Sequence, residues 1–218
     1  MSKENKKTVK IYKENAKTYL VNSVAHDEVD PVRAKQKKEE LETFIKHSLA
    51  LLPREAKVFE IGSADGANAQ YLQSLGFDVT ASDTAEAFLE AERNKGLKAI
   101  QFDALEDDFK EKYFAIFCWR VFVHFTKEDA LKIIQKAYDA LEESGVFIFN
   151  AINRETKEVD NEWVDFEGEY HMGTERYYSY FRKNDLDSII GQTPFHVEDF
   201  HQEGGKAKNK WLVYVLKK

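Results

Sequence analysis

The sequence predicts an α/β fold in which helices cover both faces of a mostly parallel sheet. Strand-like apolar runs at 58–61, 77–82 and 99–102 alternate with helix-compatible runs that begin at Ala67 and after Thr84. Two glycines lie in the turn after the first run, which is typical of a tight connection from strand to helix. Because strands that alternate with helices form parallel βαβ units, we expect the sheet to be built in this way.

The second half of the chain continues the alternation and ends in a hairpin. The run at 114–119 is apolar almost throughout, which is typical of a strand buried on both faces. A helix with apolar residues on one face is predicted over 127–141, and a fifth strand over 146–150. The strand-like runs at 195–201 and 210–216 flank a turn that contains glycine, and they therefore predict a β-hairpin.

Two helices are predicted before the sheet. Apolar residues recur at helical spacing, namely Val9, Tyr12, Ala16, Tyr19 and Leu20 in the first helix and Leu41, Phe44, Ile45, Leu49 and Leu52 in the second. Pro31 marks the start of the second helix and Pro53 its end. We therefore divide the chain into an N-terminal helical cap, 1–54, and a core domain, 55–218, in which the charged and aromatic stretch 153–176 is an insert.

The composition disfavours several classes of protein. The formal charge of −7, from 39 acidic residues against 32 lysines and arginines, disfavours a nucleic-acid partner, which requires a basic face. No run reaches the roughly 18 apolar residues of a membrane span, and Met1–Lys10 is polar. The single cysteine, Cys118, excludes an internal disulfide and a multi-cysteine metal site. We expect a cytoplasmic protein without membrane contact or a metal.

A carboxylate lies at the end of each of the first three predicted strands. These residues are Glu60, Asp83 and Asp103, and Asp83 lies 21 positions after Gly62. The carboxyl ends of parallel strands form the ligand-binding edge of open α/β sheets. An acid about 20 residues beyond a glycine-rich turn is placed to accept hydrogen bonds from both ribose hydroxyls of a nucleoside. The N–H groups at the start of the helix after Gly66 offer a further binding site.

The form of the glycine turn distinguishes between nucleoside ligands. Dinucleotide binding requires G-x-G-x-x-G, whereas this chain has Gly62-x-x-x-Gly66 with Ala64 at the middle position. Glu60 precedes the first glycine, and its carboxylate would repel a pyrophosphate. S-adenosylmethionine carries a sulfonium and an ammonium and no phosphate, so it suits an acid at this position.

The segment Glu60-Ile61-Gly62-Ser63-Ala64-Asp65-Gly66 resembles motif I of the class I S-adenosylmethionine-dependent methyltransferases. The usual form is acid-x-Gly-x-Gly-x-Gly, and this chain departs from it at Ala64 and Asn68. The resemblance covers about residues 55 to 218. It implies a Rossmann-like fold with a seven-stranded sheet of order 3-2-1-4-5-7-6, in which strand seven is antiparallel. It also implies S-adenosylmethionine as cofactor and S-adenosylhomocysteine as product.

The resemblance implies two sets of site residues. The cofactor set is Tyr12, Glu60, Gly62, Ser63, Ala64, Gly66, Asn68, Asp83, Thr84, Asp103, Ala104, Leu105 and Trp119. The acceptor set is Tyr19, Arg120, His124, Trp163, Arg176, Tyr177 and Tyr178. His124 lies at the position where the family commonly carries a histidine. An unperturbed imidazole accepts a proton near neutral pH, so His124 is the candidate catalytic base. The alternative is that it shapes the pocket.

Several of these residues also have simpler interpretations. Tyr12 and Tyr19 match a Tyr-x-x-x-Ala-x-x-Tyr segment of the family, but they would equally serve as packing residues of an amphipathic helix. Arg120 and Arg176 suggest an acceptor with a carboxylate or other anion, because guanidinium groups bind such groups bidentately. Alternatively, they pair with nearby acids such as Glu128 or Glu175. The stretch 176–181 is interpreted as a segment leading into the last helix, and it resembles an Arg-Tyr-Phe-x-Tyr-Tyr-type element of small bacterial methyltransferases.

The predicted activity is methyl transfer from S-adenosylmethionine to a small molecule by in-line displacement. Such a reaction requires the protein to align the acceptor and to exclude water. A methyltransferase that modifies tRNA or another RNA is one alternative, because the 176–181 segment also resembles that of tRNA wobble-uridine enzymes. A non-catalytic nucleotide-binding module of the NAD type is the other. The sequence leaves open the acceptor atom and the oligomeric state.

Overall fold

The computed structural model describes residues 1–29, 31–50, 52–165, 171–204 and 210–218. The helices are α1 (Lys3–Val29), α2 (Pro31–Ser48), α3 (Ala67–Ser74), α4 (Glu86–Asn94), α5 (Lys127–Ala140) and α6 (Lys183–Ile190). The strands are β1 (Lys57–Ile61), β2 (Asp78–Asp83), β3 (Lys98–Gln101), β4 (Tyr113–Cys118), β5 (Leu141–Asn153), β6 (Asn161–Val164), β7 (Arg176–Phe181), β8 (His196–Glu203) and β9 (Trp211–Lys217). Short 3₁₀ turns lie at Phe122–His124 and Arg154–Thr156. Residues 166–170 of the predicted insert and 205–209 of the hairpin turn lie outside the described residues.

The sheet has the predicted order. One path through the sheet is β3-β2-β1-β4-β5-β9-β8, with β1 to β5 parallel and β9 antiparallel to β5 over Val146–Ile152. The terminal hairpin of β8 and β9 is therefore part of the sheet, and the predicted order with its antiparallel seventh strand is confirmed.

The described strands number nine rather than seven, because the insert adds a hairpin of its own. β6 pairs antiparallel with β7, and β7 joins the end of β5 at Ile152 and Asn153. The segment 176–181 leads into the last helix, α6, as predicted, and the structure shows that the segment is itself a strand. All six residues of β7 are buried, so both faces of this strand are covered.

Alternating side chains of the central strands fill both sides of the sheet. Ile116 and Cys118 of β4 pack in the cluster that contains Ile133 of α5, whereas Ala115 and Phe117 pack in the cluster of α3. Successive residues of a strand point to opposite faces, so this pattern requires helices on both faces. α5 begins at an N-cap threonine whose side chain accepts a hydrogen bond from the Asp129 N–H at 3.2 Å.

The two N-terminal helices lie over the ligand-binding edge of the sheet. α1 contacts α4, β7 and the turn at Phe122–His124. Ile45 of α2 and Leu49, which directly follows this helix, pack into the α3 side of the core. α2 ends at Ser48, five residues before Pro53, where the chain turns toward β1. The division into a cap, 1–54, and a core domain, 55–218, stays a prediction.

Across the described segments, no helix combines the length and the apolar character that a membrane span needs.

Candidate functional site

The turn between β1 and α3 has the backbone that its glycines predict. Gly62, Ala64 and Gly66 have positive φ angles of 68°, 50° and 76°. Ala64 therefore keeps a left-handed conformation that glycine adopts more readily, at a cost of about 1–2 kcal/mol. The Ser63 N–H and hydroxyl both donate to the Ser82 carbonyl, at 2.9 and 3.0 Å, and hold the turn on β2.

Both glycines make room for protein side chains. A Cβ at Gly62 would lie 2.4 Å from Cγ2 of Val121, and a Cβ at Gly66 would lie 2.7 Å from Cδ1 of Leu97 and 3.0 Å from Cγ of Glu92. Gly66 does not line the cavity described below. Its lack of a side chain thus allows the turn to pack against Leu97 and Glu92, rather than a ligand to approach the loop.

Asp83 ends β2 beside the glycine turn. Its carboxylate accepts hydrogen bonds from the Ala64 N–H at 3.3 Å and the Ala85 N–H at 3.0 Å. Burial raises the pKa of Asp83 to about 6, against these stabilising hydrogen bonds. The residue lines a cavity, so its remaining acceptor capacity faces the space where a ligand would bind.

Two further acids are buried behind the turn. Burial raises the pKa of Glu60 to about 8, and Nδ2 of Asn68 donates to its Oε1 at 3.1 Å. Glu92 of α4 is fully buried, and burial raises its pKa to about 7. The sequence analysis missed Glu92, although it follows Phe88 and Leu89 by four and three positions on the apolar face of α4.

A cavity of about 610 Å³ lies between the carboxyl edge of the sheet, α1 and α2. The predicted site residues that line it are Tyr12, Tyr19, Gly62, Ser63, Ala64, Asn68, Asp83, Thr84, Asp103, Ala104, Trp119, Arg120 and His124. Thirteen predicted residues from both sets thus meet at one site, because parallel strands deliver their ends to one edge of the sheet.

Seven predicted site residues do not line this cavity. They are Glu60, Gly66, Leu105, Trp163, Arg176, Tyr177 and Tyr178. Glu60 lies behind Asn68, and Leu105 belongs to the buried core. The ring of Trp163 on β6 lies 4.1 Å from Nζ of Lys7 and packs on Tyr177, on the outer side of β7. The structure therefore places these residues behind or beside the wall of the cavity.

His124 and Tyr12 form one hydrogen-bonded unit at the wall. Nδ1 of His124 lies 2.7 Å from the carbonyl oxygen of Tyr177, and Nε2 lies 2.9 Å from the Tyr12 hydroxyl. Because a carbonyl only accepts, Nδ1 carries the proton and Nε2 accepts from Tyr12. Burial lowers the pKa of His124 to about 4, so the ring is neutral at neutral pH.

This geometry bears on the two roles predicted for His124. Both ring nitrogens are occupied by protein partners, and the side chain is 7% exposed. A neutral ring held in this way orients the Tyr12 hydroxyl and shapes the pocket. Its use as a base requires a proton to pass through Tyr12, and that role stays a prediction.

The two arginines of the predicted acceptor set differ in position. Arg120 is exposed, lines the cavity and has a φ of 60°, and its N–H donates to Oδ1 of the buried Asn150 at 2.6 Å. Arg176 has a fully buried side chain beside Tyr12, and its NH2 lies 3.7 Å from Oδ1 of Asp165. The nearby acid found for Arg176 is thus Asp165, which the sequence analysis did not consider.

The N-terminal helices contribute lining residues that the sequence analysis missed. On α1 these are Asn5, Thr8, Val9 and Ser23, and on α2 they are Lys35, Lys38, Leu41, Glu42 and Ile45. Asn5 and Thr8 precede Tyr12 by seven and four positions, so they share its face of the helix. Nδ2 of Asn5 donates to the His124 carbonyl at 3.2 Å, and Oγ1 of Thr8 accepts from the Tyr177 N–H at 3.2 Å. Helical spacing from Tyr12 was the signal that could have identified both.

A family model described as a methyltransferase domain matches residues 33–199, more than half of the chain. The chain belongs to this methyltransferase-domain family. It is an S-adenosylmethionine-dependent methyltransferase of class I, and S-adenosylmethionine is its cofactor. A search of curated protein sequences finds no match to this methyltransferase.

Solved structures share the fold at low sequence identity. An S-adenosylmethionine-dependent methyltransferase from Clostridium acetobutylicum has a TM-score of 0.71 and 15% identity, with 91% of this chain and 98% of that chain covered. Magnesium protoporphyrin IX methyltransferase from Synechocystis, with bound S-adenosylmethionine, has a TM-score of 0.64 and 14% identity over 86% and 80% of the two chains. A glycopeptide N-methyltransferase has a TM-score of 0.63 and 14% identity over 82% and 89%.

The residues of this methyltransferase fit a positively charged nucleoside. Three buried acids surround the glycine turn, and Oε2 of Glu60 is buried without a hydrogen-bond partner among the described residues. Such an environment opposes a pyrophosphate and suits a sulfonium with an ammonium group. The faces of Tyr12, Tyr19 and Trp119 in the cavity also attract cations.

Proposed function

We propose that this methyltransferase transfers the methyl group of S-adenosylmethionine to a small-molecule acceptor. The observation that carries the proposal is the cavity of about 610 Å³, which α1 and α2 cover with tyrosines and other side chains. Its volume lies in the range of small-molecule sites, which are commonly about 300–1,000 Å³. Two of the similar structures are named as methyltransferases of magnesium protoporphyrin IX and of a glycopeptide, which supports a non-polymeric acceptor.

We propose that the cofactor lies along the carboxyl edge of β1, β2 and β3. Asp83 would accept the ribose hydroxyls, and Asp103 with Ala104 would contact the adenine. Ser63, Asn68 and Trp119, together with Gly62, Ala64 and Thr84, would surround the rest of the nucleoside and its amino-acid end, with Glu60 behind them. When bound, the cofactor supplies a methyl group on a sulfonium, which is already a reactive donor.

The chain itself has to position the acceptor and exclude water. Tyr19, Arg120 and His124 are the predicted acceptor residues that line the cavity, and we propose that the acceptor binds among them. Arg120 would bind an anionic group of the acceptor. Trp163, Tyr177 and Tyr178 would support this wall from outside rather than contact the acceptor.

Two measurements test the proposal. Calorimetry measures the binding of S-adenosylhomocysteine and of NADH, and a gel-shift assay measures the binding of tRNA. We expect binding of S-adenosylhomocysteine, no binding of NADH and no tRNA shift. Mass spectrometry of co-purified ligands, followed by an assay of S-adenosylhomocysteine release with small-molecule acceptors, would identify the substrate. A tRNA shift together with methylation of tRNA would contradict the small-molecule acceptor, and an absence of S-adenosylhomocysteine binding would contradict the cofactor site.

A further inference from the structure

Arg176 is a buried cation beside the cavity that does not line it. Its side chain is fully buried, and its Cζ lies 5.5 and 5.7 Å from the ring centroids of Tyr12 and Tyr178. NH1 donates to the Tyr12 hydroxyl oxygen at 3.2 Å. Burial of a cation is costly, and an apolar residue of similar size commonly replaces a buried charge without loss of stability. The contacts of Arg176 therefore point to a role beyond packing.

The hydrogen bonds around Tyr12 define the direction of its hydroxyl proton. A phenolic oxygen donates one hydrogen bond and accepts through two lone pairs, whereas a guanidinium only donates. Because Arg176 occupies one lone pair of Tyr12, the hydroxyl proton cannot point toward Arg176. It points to Nε2 of His124 at 2.9 Å, and the Nδ1–H of the ring donates to the Tyr177 carbonyl at 2.7 Å.

We propose that Arg176 is a positioning residue that fixes the Tyr12 hydroxyl as a donor to His124, and so orients the two side chains that form the wall of the cavity. The proposal rests on the proposed function, because the orientation matters where donor and acceptor meet. Arg176 acts through Tyr12 and does not itself bind the acceptor. The side chain of Tyr178 is a further hydrogen-bond partner of Tyr12.

Charged groups on every neighbouring element bear on this unit. β7 supplies Arg176 and Tyr178, and Asp165 follows β6, with Oδ2 3.1 Å from Nδ1 of His171. Burial raises the pKa of Tyr12 and lowers that of His124. The Asp83 charge of β2 adds to the rise for Tyr12, whereas the Arg176 charge lowers the pKa of both residues. Removal of Arg176 should therefore let His124 accept a proton more easily.

Nitrogen-15 NMR of histidine-labelled protein tests the proposal without any acceptor. The chemical shifts of the two ring nitrogens report which one carries the proton, and His124→Gln identifies the His124 signals. In the unaltered protein we expect Nδ1 protonated and Nε2 unprotonated, with titration near pH 4. In Arg176→Met we expect Nδ1 to stay protonated, because the Tyr177 carbonyl only accepts, and the Nε2 signal to shift because the hydrogen bond from Tyr12 loses its fixed direction. The titration should move up from about 4 by a limited amount, because burial, the main cause of the low pKa, remains.

Tyr12→Phe should also shift the Nε2 signal and leave Nδ1 protonated, because it removes the hydroxyl through which Arg176 acts. The double variant should match Tyr12→Phe rather than add to it. Arg93→Met, which removes an exposed arginine of α4, is the matched control and should leave the His124 signals unchanged. If Arg176→Met folds poorly, Tyr12→Phe and Arg176→Lys serve as the test variants, and Arg176→Lys should keep part of the original Nε2 signal.

Unchanged His124 signals in Arg176→Met, or in Tyr12→Phe, would overturn the proposal. Calorimetry with S-adenosylhomocysteine on the unaltered protein separates this failure from that of the proposed function. Absence of binding there contradicts the cofactor site, whereas normal binding with unchanged His124 signals contradicts the positioning role alone.

Discussion

Burial sets the proton affinity of the acids around the glycine turn. Burial disfavours the charged form of Glu60, Asp83 and Glu92 and raises the pKa of all three. These residues lie on β1, β2 and α4, respectively. A ligand with positive charge or with hydroxyl donors favours the ionised form of such acids.

Asp83→Asn should weaken S-adenosylhomocysteine binding by about 2–4 kcal/mol, because a charged acceptor of ribose hydroxyls is lost. In the unaltered protein, binding of hydroxyl donors lowers the pKa of Asp83, so a protonated Asp83 must first release its proton. Affinity should therefore fall as the pH drops below about 6 and level off above it. Calorimetry across this range measures both effects. Asp78→Asn, at the exposed start of the same strand, is the control and should bind normally.

Glu60→Gln should change how the stability of the ligand-free protein depends on pH. The folded-state pKa of Glu60, about 8, lies above its ordinary 4.5, so its stabilising effect is complete below 4.5 and is lost as the pH rises through 8. Between these two pKa values, the free energy of unfolding changes by about 1.4 kcal/mol for each pH unit. His124 acts in the opposite sense below 6.5, so thermal melts should be compared from 6.5 to above 8. An equal fall in the melting temperature of both proteins would refute this coupling.

At the scale of elements, the glycine turn after β1 packs against the loop that follows β4. Gly62 lies against Val121, and Arg120 in the same loop has a positive φ with its N–H held by Asn150 of β5. The two loops thus fix one another at the floor of the cavity. Residues in unusual backbone conformations cluster at functional sites, where the surrounding structure maintains them.

Gly62→Ala should destabilise the protein by about 2–4 kcal/mol, from left-handed strain together with overpacking against Val121. Gly76→Ala separates the two contributions, because Gly76 has a φ of 93° and no atom of the described residues would lie within 4 Å of a Cβ there. It should cost only the strain, about 1–2 kcal/mol. Chemical denaturation of the single variants and of Gly62→Ala with Val121→Ala measures the difference. If Val121→Ala restores nothing, the packing explanation is incorrect.

At the scale of the whole molecule, α1 connects distant parts of the chain around the cavity. The Ser2 N–H donates to Asp129 at 3.1 Å, Thr8 accepts from Tyr177, and Nδ2 of Asn22 donates to the His171 carbonyl at 2.8 Å. These polar contacts hold the helix over the sheet edge with limited apolar burial. Elements held in this way open more easily than the core.

Hydrogen exchange of α1 should slow when S-adenosylhomocysteine binds, because Tyr12 and Tyr19 would gain contacts with the ligand. The exposed edge strand β8 does not line the cavity and serves as the internal control. Mass spectrometry of exchanged peptides, with and without the ligand, compares the two regions. Equal protection of α1 and β8 would contradict contact between α1 and the ligand.

The sequence by itself predicted the sheet order through its family resemblance, and it located the site at the strand ends. Glu60, Asp83 and Asp103 follow apolar runs, and the connection from strand to helix fixes where such residues emerge. Such features can be predicted from the sequence, because the conformation of a glycine turn and the end of a strand depend on neighbouring residues. The resemblance also indicated the cofactor.

Tertiary structure alone decided which predicted residues face the cavity and which lie behind its wall. Arg176 and Tyr177 begin an inserted strand, and they are buried where this strand meets Tyr12 and Thr8 of α1, at sequence separations of 164 and 169 positions. Tertiary packing also places Glu92 beside Gly66 and Asp165 beside Arg176. The sequence shows that a side chain is charged, but it does not show what surrounds that side chain. The packing of elements that are distant in the chain determines whether a charged side chain contacts a ligand, solvent or another buried group. These contacts therefore could not be predicted from the sequence.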